Sequence, residues 1–339
     1  MSIREAIAAI VNDGRDLTED EAFVTMHEVF RGEATPAQLG ALLIGLRMKG
    51  ESVDEITGLA RAMREHCLRV EVEGPLLDTC GTGGDSRGTF NVSTAAAFVA
   101  AGAGARIAKH GNRAMTSGCG SADVLEALGA KIDLSPEQVA ECIERTGFGF
   151  MFAQAFHPAM KHAAGPRREL GVRTVFNILG PLTNPARAQH QLLGVASPDI
   201  APKMALALQR LNGGHALVVH GNGAVDELSI SGPSLVCEIS GAETREYSIS
   251  PWDAGLPSAP ADAIRGGTPE QNAAILISIL KGERGPIRDV TVLNAAGALK
   301  AADAAPELEE GARIAEAAID SGAAKRKLDE WVELTQSFG

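Results

Sequence analysis

Two glycine-bearing stretches hold the residues best suited to chemistry, Gly81-Thr82-Gly83-Gly84-Asp85 and Lys109-His110-Gly111-Asn112-Arg113. Glycines at this density let the backbone curl until several N–H groups point one way, which makes a nest for a polyanion. Lys109 adds a full positive charge, and the start of a following helix adds a partial one. The first loop lacks the Gly-Lys-Ser/Thr of a Walker site, and Ser86 stands where a dinucleotide fingerprint needs a third glycine. Alone, Gly-x-Gly-Gly reads equally well as a tight turn; the second, basic loop is what points to phosphate groups. Asp226-Glu227 follow the turn Gly221-Asn222-Gly223. Adjacent loop acids are usually just solvated, but beside a phosphate site they suit magnesium, which takes one or two carboxylates plus substrate oxygens. Ser93 offers a further oxygen.

Each loop follows an apolar run (Leu76-Leu77, then Ala105 to Ala108) and precedes a helix-like stretch (Ser93 to Ala101, then Ala122 to Leu128). In a parallel sheet such turns all lie at the carboxyl ends of the strands, so both loops should face one crevice. Strands are expected at 76–79, 105–109, 130–133, 148–152, 190–195, 215–220 and 289–293, alternating with helices, and 233–250 reads as a polar surface hairpin. Residues 1–66 read as helices only, with capping boxes pairing Thr18 with Glu21, Thr35 with Gln38, and Ser52 with Glu55. The middle helix is apolar on more sides than one buried face needs, which suits either packing on the rest of the chain or contact with a second subunit. Residues 158–188 break the alternation and send the chain back to the helical part, and Leu308 to Gln336 reads as amphipathic helices. The expected fold is α/β, a mainly parallel central sheet flanked by helices, plus a small all-helical domain. Residues 1–68 with about 166–188 form the helical domain, and 69–165 with 189–339 form the α/β domain.

A chain of 339 residues, 45% hydrophobic and 22% charged, is long enough for two domains and a sizeable core. A net charge of −12 and few aromatics (Tyr247, Trp252 and Trp331 among them) argue against a nucleic-acid partner. Cys67, Cys80, Cys119, Cys142 and Cys237 are scattered without a Cys-x-x-Cys pair, which argues for a reducing compartment. Arg4, Glu5, Asp13 and Arg15 interrupt any apolar leader, and Thr94 to Ala105 falls short of the ~20 residues a membrane span requires. The cytoplasm is the expected location, with no membrane partner.

His110 and His157 have no serine or cysteine partner that would make a nucleophilic relay, and either reads equally well as a hydrogen-bonded structural residue. Arg167, Arg168 and Arg173 cluster after His157-Pro158. Such clusters commonly serve surface ion pairs, yet a guanidinium is also the natural bidentate partner of a substrate carboxylate.

The two loops, with Thr89-x-Asn91-x-Ser93-Thr94, His157-Pro158-Ala159-Met160 and Arg173-Thr174-x-Phe176-Asn177-x-Leu179-Gly180-Pro181-Leu182, stand in the order seen in the anthranilate phosphoribosyltransferase family, which the chain resembles from about Leu17 to its last helices. The resemblance implies transfer of the phosphoribosyl group of phosphoribosyl pyrophosphate to the amine of anthranilate, the second step from chorismate to tryptophan. It assigns phosphoribosyl pyrophosphate to Gly81, Gly83, Gly84, Asp85, Thr89, Asn91, Ser93, Thr94, Lys109 and Ser121. Anthranilate falls to Gly81, His110, Asn112, His157 and Arg167, the last by its place ten positions after His157. Ser93, Asp226 and Glu227 would hold Mg2+, two ions with the sugar diphosphate bound, and the chain would form a homodimer. No general acid or base is expected, since an arylamine is neutral; Lys109 and Asp85 would support the transition state. Two departures stand out: Gln154 where proline commonly follows Phe-Ala, and Cys119 between Gly118 and Gly120. A pyrimidine nucleoside phosphorylase would carry Lys-His-Ser-Thr-Gly-Gly in place of the second loop. A non-catalytic nucleic-acid-binding relative would not be expected to keep Asp226-Glu227 and Arg167.

Overall fold

The structure is a computed structural model that describes every residue except 85–87, 115–117 and 339. The chain opens with helices α1 (Ile3–Val11), α2 (Glu19–Phe30), α3 (Pro36–Lys49) and α4 (Val53–Glu65). Then come β1 (Leu77–Gly81), α5 (Val92–Gly102), β2 (Ile107–Gly111), α6 (Ser121–Ala127), α7 (Pro136–Thr146) and β3 (Phe148–Phe152). Short helices α8 (Ala153–Phe156), α9 (Lys161–Leu170) and α10 (Phe176–Leu179) lead to β4 (His190–Gly194), α11 (Ala201–Asn212) and β5 (His215–Gly221). The hairpin β6 (Ser234–Ser240) and β7 (Glu243–Ile249) precedes α12 (Pro269–Leu280), α13 (Pro286–Ala301), α14 (Leu308–Asp320) and α15 (Ala323–Ser337).

The sheet runs β3-β2-β1-β4-β5-β6-β7, parallel from β3 to β5 and antiparallel at β6 and β7. Alternating side chains feed two cores: Leu217 and Val219 of β5 enter one, and Ala216 and Val218 enter the other. The first core lies under α5, α13 and α15 and includes Phe98, Phe148 and the fully buried Trp331. The second joins α11 to α1–α4 and takes in Ala163, Val175, Phe176 and Leu182, so the segment after β3 packs on the N-terminal helices.

The three expected capping boxes are formed, with the amides of Glu21, Gln38 and Glu55 bonded to the hydroxyls of Thr18, Thr35 and Ser52 at 3.2–3.3 Å. Ser2 and Glu5 make a further, unforeseen one at the start of α1.

Two expected strands are absent. Residues 289–293 lie within α13, a helix buried on nearly every side, where an apolar β-branched run carries no period that separates strand from helix. Segment 130–133 buries Ala130 and Ile132 but belongs to no strand among the described residues; the amide of Lys131 bonds to Thr335 Oγ1 at 3.1 Å. The hairpin exists, but it widens the main sheet rather than leaving it, because β6 presents Val236, Cys237 and Ile239 to the cores.

Candidate active site

Strands β1, β2, β4 and β5 end at Gly81, Gly111, Gly194 and Gly221 on one rim of the sheet, and a cleft of about 290 Å3 opens there. Its walls are Gly81 to Gly84, Lys109 to Arg113, the start of α5, and Arg173, Asn177, Asp226 and Glu227. Gly83 and Gly84 have φ of +65° and +83°, the left-handed values that curl the first loop. Two further glycines admit the acidic loop. A Cβ on Gly194 would fall 1.6 Å from the Asp226 carbonyl oxygen, and one on Gly81 would fall 2.4 Å from Asp226 Oδ2. The carboxylate of Asp226 accepts from the Gly83 amide at 2.7 Å, and Glu227 Oε1 accepts from the Ser93 amide at 3.1 Å. The acids thus face the nest and the α5 N-terminus directly.

Lys109 is only 1% exposed. Its ammonium donates to the Thr79 carbonyl and, at 3.2 Å, to Ser93 Oγ. Burial pulls its pKa down, opposed by Asp78 in the same strand layer. Asp78 is fully buried, and desolvation pushes its carboxyl up to about 6 against the pull of Lys109. Its oxygens accept from the His110 amide at 3.2 Å and from Asn184 Nδ2 at 2.8 Å. A charge inside the run Leu76-Leu77-Asp78-Thr79-Cys80 was the available sign of this pair, and sequence reasoning passed it over.

His110 and His157 pair through their Nε2 atoms at 3.2 Å, and His110 Nδ1 faces the Gly180 carbonyl at 3.2 Å. Burial lowers His110 to about 4 and His157 well below its ordinary value, so both are neutral at neutral pH. A carbonyl only accepts, so His110 carries its proton on Nδ1 and accepts from His157.

Of the residues named from sequence, Gly81, Gly83, Gly84, Thr89, Asn91, Ser93, Thr94, Lys109, His110, Asn112, Ser121, Asp226 and Glu227 line the cleft. Thr94 is fully buried, so its hydroxyl lies in the floor rather than on the surface. Asp85 lies outside the described residues. His157 stands behind His110, and Arg167 stacks over the Phe176 ring at 4.9 Å rather than on this wall. Arg173 reaches the loop instead: Nη2 donates to the Gly83 carbonyl at 3.0 Å, and a Cβ on Gly84 would fall 1.3 Å from Nη1. Gln154 takes up a specific position, its amide donating to Asn112 Oδ1 at 3.4 Å. Cys119 is buried, and burial pushes its thiol up to about 11, which makes it an unreactive wall.

A metal ion fits this donor set. Among the described residues no three His, Cys, Asp or Glu side chains gather as a self-sufficient cage. Two carboxylates beside an amide nest suit magnesium, which keeps waters and fills its shell from substrate phosphates.

Residues 4–67 match the helical bundle domain of the glycosyl transferase family, and residues 73–325 match its a/b domain. Those matches define a two-domain glycosyl transferase. The anthranilate phosphoribosyltransferase of Chloroflexus aurantiacus is 57% identical over 338 residues, 99% of each chain. The Thermus thermophilus enzyme of that name superposes with a TM-score of 0.93 at 47% identity, covering 98% of this chain and 99% of that one. The Saccharomyces cerevisiae enzyme, solved with PRPP and Mg, gives 0.91 at 28% identity, covering 99% and 98%. This chain belongs to the anthranilate phosphoribosyltransferase family.

Proposed function

We propose that the chain transfers the 5-phosphoribosyl group from phosphoribosyl pyrophosphate (PRPP) to the amine of anthranilate and releases pyrophosphate. The new C1–N bond forms from the amine lone pair, the C1–O electrons leave with pyrophosphate, and the acidic anilinium proton passes to solvent water. The observation that carries this reading is the acidic pair set across the Gly83 amide and the α5 N-terminus, with Lys109 beneath. The yeast relative, solved with PRPP and Mg, supports it.

Gly81, Gly83, Gly84, Asn91, Ser93 and Thr89 would cradle the diphosphate and ribose, assisted by Ser121 and Asp85. Backbone N–H donors need no reorganisation as charge builds on the leaving group. Asp226, Glu227 and Ser93 would hold magnesium, two ions once PRPP is bound. Magnesium supplies positive charge next to the phosphate oxygens. The neutral His110–His157 pair, Asn112 and Arg167 would line the approach for anthranilate. A neutral imidazole pair suits an aromatic ring and leaves its carboxylate to an arginine. Pyrophosphate release that needs anthranilate tests the reading; release of thymine and deoxyribose 1-phosphate from thymidine and phosphate would favour the phosphorylase instead.

Arg167→Ala should raise KM for anthranilate about tenfold or more and leave KM for PRPP within about twofold, as expected for one lost charge-assisted contact. Equal loss for both substrates in steady-state assays would contradict its role. The active form is proposed to be a homodimer through the helical domain. Val11 on α1 and Met48 on α3 are apolar and 61% and 84% exposed, on helices that pack together. Light scattering at micromolar concentration should report twice the chain mass; a monomer would contradict this. No helix among the described residues is long and apolar enough to cross a membrane, and the proposed location is the cytoplasm.

A further inference from the structure

Asn91 stands at the N-cap of α5, where an asparagine ordinarily folds its carbonyl back onto the second or third amide of its own helix. Here it makes no such bond. Its Oδ1 accepts from Asn272 Nδ2 at 2.9 Å, and its Nδ2 donates to the Cys119 carbonyl at 3.2 Å. Asn272 lies in the first turns of α12, is 2% exposed, and takes the Gly267 amide on its Oδ1 at 2.7 Å.

That order of donors and acceptors is forced. An amide N–H can only donate, so Gly267 claims the Asn272 oxygen and turns its NH2 toward Asn91. Asn91 must then offer its oxygen, which leaves its own NH2 for Cys119. The segment before α12 is held against the same loop, with the Gly266 amide bonded to the Gly88 carbonyl at 2.8 Å and the Phe90 amide to the Ile264 carbonyl at 3.1 Å. Gly266 has no room for a side chain, since its Cβ would fall 2.7 Å from both Asn272 Oδ1 and Phe90 Cα.

We infer that Asn272 is a positioning residue for the transfer reaction: it holds Asn91 off the α5 N-terminus, tying the residue that caps α5 to Cys119 ahead of α6 and leaving the helix amides open to the acidic pair and the diphosphate. The inference rests on the function proposed above. Asn272 would touch no substrate. Its effect would pass through Asn91, and it would fall on the sugar diphosphate rather than on anthranilate.

The test is Asn272→Asp. The carboxylate still accepts from Gly267 but faces Asn91 Oδ1 with a lone pair, so Asn91 must flip or swing onto its own helix. KM for PRPP should rise roughly tenfold, with KM for anthranilate unchanged and the melting temperature close to wild type. Protonating the new carboxyl restores a donor to Asn91, so the ratio of variant to wild-type kcat/KM should climb toward one as pH falls from 8 to 5. Asp123 and Glu270, held below the ordinary carboxylate range, and Cys119, pushed up to about 11, keep their charge states between pH 8 and 5. In an Asn91→Ala background the same substitution should add no further defect. An unchanged KM for PRPP, equal loss for both substrates, a defect that ignores pH, or full additivity with Asn91→Ala would each overturn the inference. If Asn272→Asp does not fold, Asn272→Ser is read by the same KM split. Wild-type turnover is measured first; its absence would sink the proposed function, whereas wild-type turnover with an indifferent variant would sink this inference alone.

Discussion

The double substitution Asp226→Asn with Glu227→Gln should lower turnover by roughly 10²–10³-fold, the equivalent of losing several kcal/mol of charge stabilisation at a phosphate centre. The new amides keep shape and acceptor atoms. The one at position 226 can still take the Gly83 N–H that Asp226 holds at 2.7 Å, and the one at position 227 can take the Ser93 N–H that Glu227 holds at 3.1 Å. What goes is two negative charges, so the loss falls on metal recruitment rather than on loop conformation. Magnesium titrations at saturating PRPP should show a much weakened response, while the melting temperature stays near wild type. A magnesium dependence that matches wild type would remove both residues as ligands.

Lys109→Met should lower stability by roughly 1–3 kcal/mol between pH 7 and 8, because Asp78 loses the cation that offsets its burial and must take up a proton in the fold. The direction with pH follows from Asp78. Its folded-state value is raised from the ordinary 3.8 to about 6, so the protonated carboxyl is favoured in the fold. Its contribution is fully present below 3.8 and is lost as pH rises through about 6. Without Lys109 the carboxyl rises further and the loss grows. Thermal melts should therefore show a gap between wild type and variant that is small at pH 5 and wide at pH 8. A gap of constant size would mean that the two groups are not coupled. Activity should fall as well, since Lys109 lies under the phosphate loops and bonds Ser93 Oγ at 3.2 Å.

Local features were legible in the sequence. A capping box spans four residues, so Thr18 with Glu21 or Ser52 with Glu55 could be read without any tertiary contact. The rim of the sheet was legible too, because turns that follow parallel strands must share one edge. The helix at 286–301 was not, since Val290, Val292 and Leu293 are buried alongside nearly every neighbour and leave no face to read. Contacts between residues far apart in sequence were also hidden. Arg173 meets Gly83 across 90 positions and Asn272 meets Asn91 across 181, and neither pairing leaves a local pattern. Asp78 left a sign of a different kind, a carboxylate inside an apolar strand, where burial without a partner would be too costly.

The most direct test uses the fluorescence of anthranilate itself. When the purified chain is mixed with anthranilate, PRPP and magnesium, the emission should decay as the amine becomes ribosylated, with pyrophosphate appearing in equal amount. Omitting either PRPP or magnesium should hold the signal steady. Constant fluorescence in the complete mixture, with folded protein and intact PRPP recovered afterwards, would contradict the account.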